Sequence, residues 1–166
     1  MTRRILTAFL VTAVLAVPGW LWADSRTPPP PASGEVVRVV DGDTIVVDDG
    51  HGPRTIRLLG IDTPETVHPE KPVECYGPEA SAYSKRLLTG RSVALVYDRE
   101  RTDRYGRLLA YVYLEGPAAV FVNARLVERG LARTLSMAPN LAHRDDLALL
   151  ERRAALAGRG LWSACE

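Results

Sequence analysis

From residue 34 onward the pattern of apolar and polar positions is strand-like, with short β-branched runs broken by turn residues. Residues 35–40 and 44–47 are β-branched runs separated by Asp41-Gly42-Asp43. Residues 54–59 form a third run beyond the hairpin-turn signal Asp48-Asp49-Gly50. The strand pattern then disappears over residues 64–78, which are proline-rich, polar and irregular. A helical period follows over 79–88, with Ala80, Tyr83 and Leu87 on one face and Gly90 at the end. Residues 92–97 and 108–114 read as two more strands. Helices are predicted over 123–129, closed by Gly130, and over 143–157, with Leu147, Leu150, Ala154 and Ala157 turned inward. No internal repeat is present. Five short strands with helices following predict an α+β fold, mainly β. A small closed barrel is the arrangement that leaves no strand edge exposed.

The first 23 residues break this pattern. Arg3 and Arg4 precede an uncharged run over 5–23 that Asp24 ends. This is the layout of a secretory signal peptide, so the protein is expected to be exported, periplasmic or extracellular. The run is also just long enough to cross a bilayer, which makes an uncleaved inner-membrane anchor the alternative. Residues 24–33, with prolines at 28–31, read as an extended linker, leaving 34–166 as the folded domain.

Composition narrows the chemistry. With 46% hydrophobic and 25% charged residues, the 166-residue chain can fill a core. Three histidines and two cysteines argue against a Cys/His zinc cluster. No Walker or Rossmann loop, nucleophile elbow or H-E-x-x-H is present. Removal of residues 1–23 takes away Arg3 and Arg4 and leaves 19 basic against 20 acidic residues. Attraction to a polyanion must then come from a local site.

Three clusters could build one. Asp41-Gly42-Asp43-Thr44 begins like a calcium loop but fails the EF-hand pattern at Ile45, Val46 and Gly52, so by itself it reads as a β-turn. Asp62-Thr63-Pro64-Glu65 sets two carboxylates and a hydroxyl where a strand gives way to irregular chain. Residues 99–107 read R-E-R-T-D-R-Y-G-R, which as composition alone is a solvated charged loop. Arg107 could clamp a phosphate oxygen with its fork. Arg57 interrupts the apolar run from Ile56 to Leu59, and an arginine on a barrel face needs an anionic partner. Carboxylates for a hard metal and guanidiniums for a phosphorane-like charge are the toolkit of metal-assisted phosphodiester hydrolysis.

These residues occur in blocks that resemble the staphylococcal-nuclease (thermonuclease) family. The blocks run from Val39 to Thr44, from Ile56 to Leu59 and on from Ile61 to Thr66, from Tyr76 to Ser81, from Arg101 to Arg107, and from Gly160 to Ser163. They stand in family order. The resemblance implies a five-stranded OB-fold Greek-key barrel with three α-helices. It implies a Ca²⁺-dependent nuclease acting on single-stranded DNA, RNA and accessible duplex DNA, giving 3′-phosphate and 5′-hydroxyl ends. It assigns Asp43, Asp62 and the Thr63 carbonyl to the metal, Glu65 to the general base, Arg57 and Arg107 to the phosphate, and Arg104 and Tyr105 to the nucleotide. No protein partner is implied, and a monomer is expected. Two departures stand out: Arg104 replaces a family lysine, and no base-stacking tyrosine occurs over 134–140, where Ser136, Met137 and Ala138 stand. The competing reading is an OB barrel that binds single strands without cutting them.

The two cysteines, Cys75 and Cys165, both lie in the exported part. An oxidising compartment would join them, tying the C-terminal tail to the irregular loop before the first helix; two free thiols are the alternative.

Overall fold

The computed structural model describes residues 32–67 and 72–165. The signal segment, most of the proline linker and Glu166 lie outside the described residues. Strand β1 (Ser33–Val39) opens one residue before the expected domain start, because Ser33 already pairs with Ala94. It is followed by β2 (Thr44–Asp48), β3 (Pro53–Leu58) and the two-residue β4 (Ile61–Asp62). Helix α1 (Gly77–Leu88) leads to β5 (Ser92–Val96) and β6 (Leu108–Leu114). Then come β7 (Val120–Phe121), α2 (Val122–Glu128), β8 (Arg133–Thr134), α3 (Arg144–Leu156) and the single-turn α4 (Leu161–Ala164).

The five long strands close a barrel. Their order is β3-β2-β1-β5-β6, and β6 returns to pair with β3 in parallel through Ile56↔Leu108, Arg57↔Leu109 and Leu58↔Ala110. No edge of the five-strand set is left without a partner. The register slips between Val36 and Arg38, a bulge that leaves Val37 49% exposed while Val36 and Val39 face the core. Strand alternation sends Ile56 and Leu58 inward beside Ile45, Val47, Val93 and Val112. The same alternation sends Arg57 to the opposite face. Ala80 and Leu88 of α1 and Leu126 of α2 join the barrel core, as does Leu147 of α3. Buried Asn123 ties α2 to the barrel: its Nδ2 donates to the Leu59 carbonyl and its Oδ1 accepts the Val112 N–H.

The differences from expectation are local. Helix α1 starts two residues early, because Pro78 suits the first turn, where no N–H partner is needed. Ala157 is exposed where an inward position was expected, since α3 ends at Leu156 and the chain turns away. The β4–β8 ladder, β7 and α4 are too short to leave a periodic signature.

Candidate active site

Loops and strand ends meet at one rim of the barrel. The β1–β2 loop brings Asp41 and Asp43, β3 brings Arg57, and the chain at and after β4 brings Asp62, Thr63 and Glu65. The β5–β6 loop brings Tyr105 and Arg107, and together these residues line a pocket of about 630 Å³. This is the face on which OB barrels take their ligands.

The β1–β2 loop is held from behind. Ser84 Oγ of α1 donates to the Gly42 carbonyl at 2.7 Å, and the Leu58 N–H donates to the Asp43 carbonyl at 2.9 Å. A Cβ on residue 42 would stand 2.7 Å from Thr63 Cγ2 and Oγ1, so glycine permits the approach of the two loops. Asp43 is 4% exposed. Its Oδ2 accepts the Thr63 N–H at 2.8 Å and its Oδ1 accepts the Thr44 hydroxyl at 3.0 Å.

Arg57 has the anionic partners its position demanded. Its Nη2 lies 3.1 Å from Asp43 Oδ2 and donates to Asp62 Oδ1 at 2.6 Å. Its Nη1 donates to the carbonyls of Leu58 and Ile61, both at 2.8 Å. Four acceptors fix the plane of the fork before any ligand arrives.

Arg107 is oriented by Asp103, a residue to which the sequence motifs assign no role. Its Nε donates to Asp103 Oδ2 at 2.7 Å, while Asp103 Oδ1 accepts the backbone N–H groups of Arg107 and Tyr105 at 2.9 Å. Burial alone raises the Asp103 carboxyl, but the bonds from Arg107 and Tyr105 outweigh it and hold the group below its ordinary value. The loop is pinned in turn by Asn140, whose side-chain amide bonds both the N–H and the carbonyl of Glu100. The signal for Asp103 was present in Asp103-Arg104-Tyr105-Gly106, an Asx-type turn closed by a glycine.

Glu65 is clasped by Glu74. The Glu65 N–H donates to Glu74 Oε2 at 3.0 Å, and the Glu74 N–H donates back to the Glu65 carbonyl at 2.9 Å. Glu65 Oε1 accepts the N–H groups of Thr66 and Val67, both at 2.8 Å. A Cβ at Gly77 would meet Thr66 Cγ2 at 2.7 Å and the Pro64 carbonyl at 3.0 Å, so α1 can start directly beneath this segment. One residue past Glu74, Cys75 forms a disulfide with Cys165, with Cα atoms 5.9 Å apart. Beside this bridge, Arg133 lies 4.3 Å from the Trp162 ring centre.

Arg104 does not line the pocket of Arg57 and Glu65. It borders an adjoining cavity of about 470 Å³ with Met137 and Ala138, and Arg57, Tyr105 and Arg107 border both spaces. Arg104 Nη2 donates to the Tyr105 hydroxyl at 2.6 Å and its guanidinium lies 4.8 Å from the ring centre. Met137 and Ala138 give that cavity a wall without an aromatic ring.

The main pocket is acidic on balance, with Asp41, Asp43, Asp62 and Glu65 against Arg57 and Arg107. Asp41 is pushed up to about 6, first by burial and then by the field of Asp43. Asp62 is raised as well, by burial, with Arg57 opposing and Asp43 adding to the rise. Carboxylates held above their usual range by crowding are what a cation relieves. The donors are all hard oxygens, so the set fits a hard divalent ion. Among the described residues no group of three His, Cys, Asp or Glu side chains is placed to hold a metal ion by itself. The protein would supply part of a coordination shell, leaving the rest to water and substrate.

Comparison with known proteins decides the family. Residues 55–164 match the family described as Staphylococcal nuclease homologue. The chain is 43% identical over 129 residues to the thermonuclease of Staphylococcus hyicus, covering 78% of this chain and 75% of that protein. It is 42% identical over 127 residues to the thermonuclease of Staphylococcus intermedius, covering 76% and 74%. The chain belongs to the staphylococcal nuclease family. A third relative is the endonuclease YncB of Bacillus subtilis, 40% identical over 128 residues that span 76% of this chain and 59% of that protein. As a staphylococcal nuclease family member the chain is an enzyme of the nuclease class. Of the positions that the family resemblance singles out, Asp43, Arg57, Asp62, Thr63, Glu65, Tyr105 and Arg107 share one pocket, and Arg104 stands in the next.

Proposed function

We propose that this chain is an exported, Ca²⁺-dependent nuclease. It hydrolyses phosphodiester bonds of single-stranded DNA, RNA and accessible duplex DNA and leaves 3′-phosphate and 5′-hydroxyl ends. The observation that carries the reading is the fixed pair Arg57 and Arg107 in one pocket with Glu65 and the Asp43–Asp62 carboxylates. A binding module has no need of a carboxylate base beside two clamped guanidiniums.

Asp43, Asp62 and the Thr63 carbonyl would hold the ion. When bound, Ca²⁺ supplies positive charge to a phosphate oxygen and polarises water. Glu65 takes the proton of the attacking water. Arg57 and Arg107 bind the phosphate and stabilise the charge that grows on its oxygens in the transition state. Their partners Asp62 and Asp103 have already set their orientation, so little reorganisation remains at the moment of reaction. Arg104 and Tyr105 hold the neighbouring nucleotide. The mature chain's slight excess of acidic residues supports low nonspecific affinity for polynucleotide. The disulfide supports an oxidising compartment, hence export.

Release of acid-soluble nucleotides from DNA and RNA, with Ca²⁺ and with excess chelator, tests the reading. Release with Ca²⁺ and none with chelator supports it. Full activity in chelator would remove the metal assignment, and no release under either condition would remove the nuclease.

A further inference from the structure

The geometry points to a second nucleic-acid groove beyond Tyr105 and Arg107, which takes phosphates of a single-stranded polynucleotide next to the bond being cut. It rests on the nuclease reading and extends it to substrate length. A cavity of about 650 Å³ runs from Arg107 along the start of β3 to His51 in the β2–β3 turn, walled by Arg54, Arg101 and Thr102. It shares Tyr105 and Arg107 with the candidate active site.

The electrostatics of the two spaces are opposite. The active-site pocket is lined by four carboxylates, whereas none lines this groove, which carries the guanidiniums of Arg54, Arg101 and Arg107. Asp49 stands close by, 3.6 Å from His51 Nδ1 at the turn. Asp49 offsets one charge and Asp103, paired with Arg107 at 2.7 Å, offsets a second, so three guanidiniums against two carboxylates still leave the groove cationic. A polyanion leaving the acidic pocket is therefore drawn along this wall. The local field matters because the whole chain carries almost no net charge.

The chemistry suits a single strand. Tyr105 is 68% exposed at the junction and offers a ring on which an unstacked base can lie. Arg101 is set at 5.7 Å from the Tyr97 ring centre, so its guanidinium has a platform at the groove wall. Arg54 precedes Arg57 by three strand residues, roughly 10 Å along β3 and on the other face by alternation. It therefore does not share the scissile phosphate, and its place in the groove with Arg107 suits it to a flanking one. Neither Arg54 nor Arg101 lines the pocket that holds Glu65 and the Asp43–Asp62 carboxylates, so loss of this groove should spare short substrates.

The test is fluorescence anisotropy of a labelled thymidine trinucleotide and decanucleotide, titrated in excess chelator over a series of NaCl concentrations. Wild type should bind the decanucleotide more tightly and with a steeper salt dependence. The double variant Arg54→Gln/Arg101→Gln should weaken only the decanucleotide. Two lost contacts to a single strand should reduce its slope of log K against log salt by roughly 1.4. The Arg54→Lys/Arg101→Lys variant should restore most of the slope. Arg101→Gln alone, at an exposed position, should give about half the change if the double variant folds poorly. Wild-type slope and affinity in the Gln variants, or equal weakening for both lengths, would overturn the groove. Cleavage of a trinucleotide by wild type with Ca²⁺ is the separate control: its failure counts against the nuclease reading and leaves the binding result to judge the groove.

Discussion

Replacing both cysteines by serine should weaken the fold and the active site together. The bridge closes a 90-residue loop between Cys75 and Cys165. In the chain-entropy picture, a crosslink over that many residues raises stability by about 4.6 kcal/mol, chiefly by restricting the unfolded chain. Whole domains are stable by only about 5–15 kcal/mol. Cys75→Ser/Cys165→Ser should therefore retain a modest fraction of wild-type stability and melt on the order of 15 °C lower. The same bridge borders the Glu65–Glu74 clasp. At a temperature where the variant is still folded, turnover should fall while KM changes little, because Glu65 is less well held and the arginines are untouched. Equilibrium unfolding in guanidinium, run on the double variant and on wild type with and without reductant, reads the first effect. Steady-state cleavage kinetics read the second. A variant within 1 kcal/mol of wild type, insensitive to reductant, would refute the argument from loop closure.

Arg57→Ala leaves buried Asp43 and its neighbour Asp62 without their shared cation. Stability should drop by about 3–5 kcal/mol and turnover by roughly 10²-fold or more, checked by denaturant titration and by cleavage rate. Asn123→Ala removes both partners of its bridge, leaving the Val112 N–H and the Leu59 carbonyl unpaired in the core. A loss of about 1–3 kcal/mol for each orphaned group is expected in chemical denaturation. Asp103 has a folded pKa below its unfolded value, so its contribution to stability is present above about pH 4 and lost as pH falls through the folded pKa. Asp103→Asn should flatten that acid limb in melting curves and leave the neutral-pH dependence unchanged.

The barrel was legible because strand alternation is strong wherever one face is buried. Ile56, Leu58 and Val93 face the core as their period implied, and Arg57 was marked as needing an anion by its place in the same pattern. What escaped was set by contacts distant in sequence. Glu74 reads as one more polar residue in a proline-rich stretch, and only the fold brings it back onto Glu65. Asn140 clamps Glu100 from 40 residues away, which no local pattern records. Asp41 was visible as part of a turn, and its crowding by Asp43 appeared only when Ser84 and Thr63 were seen to press that loop into place. Two-residue strands such as β4 and β8 hold Asp62 and Arg133 in register, yet they are too short for any periodicity to show.

The central claim is that Glu65, Arg57 and Arg107 act on a phosphodiester in one Ca²⁺-assisted site. Single-turnover cleavage of one end-labelled single-stranded oligonucleotide, with Ca²⁺ and saturating enzyme, tests it most directly. The wild type and the variants Glu65→Gln, Arg57→Ala and Arg107→Ala would be compared. The account predicts 3′-phosphate and 5′-hydroxyl products from wild type, and rates lowered roughly 10²-fold or more in each variant. Cleavage by Arg107→Ala or Glu65→Gln at the wild-type rate would contradict it.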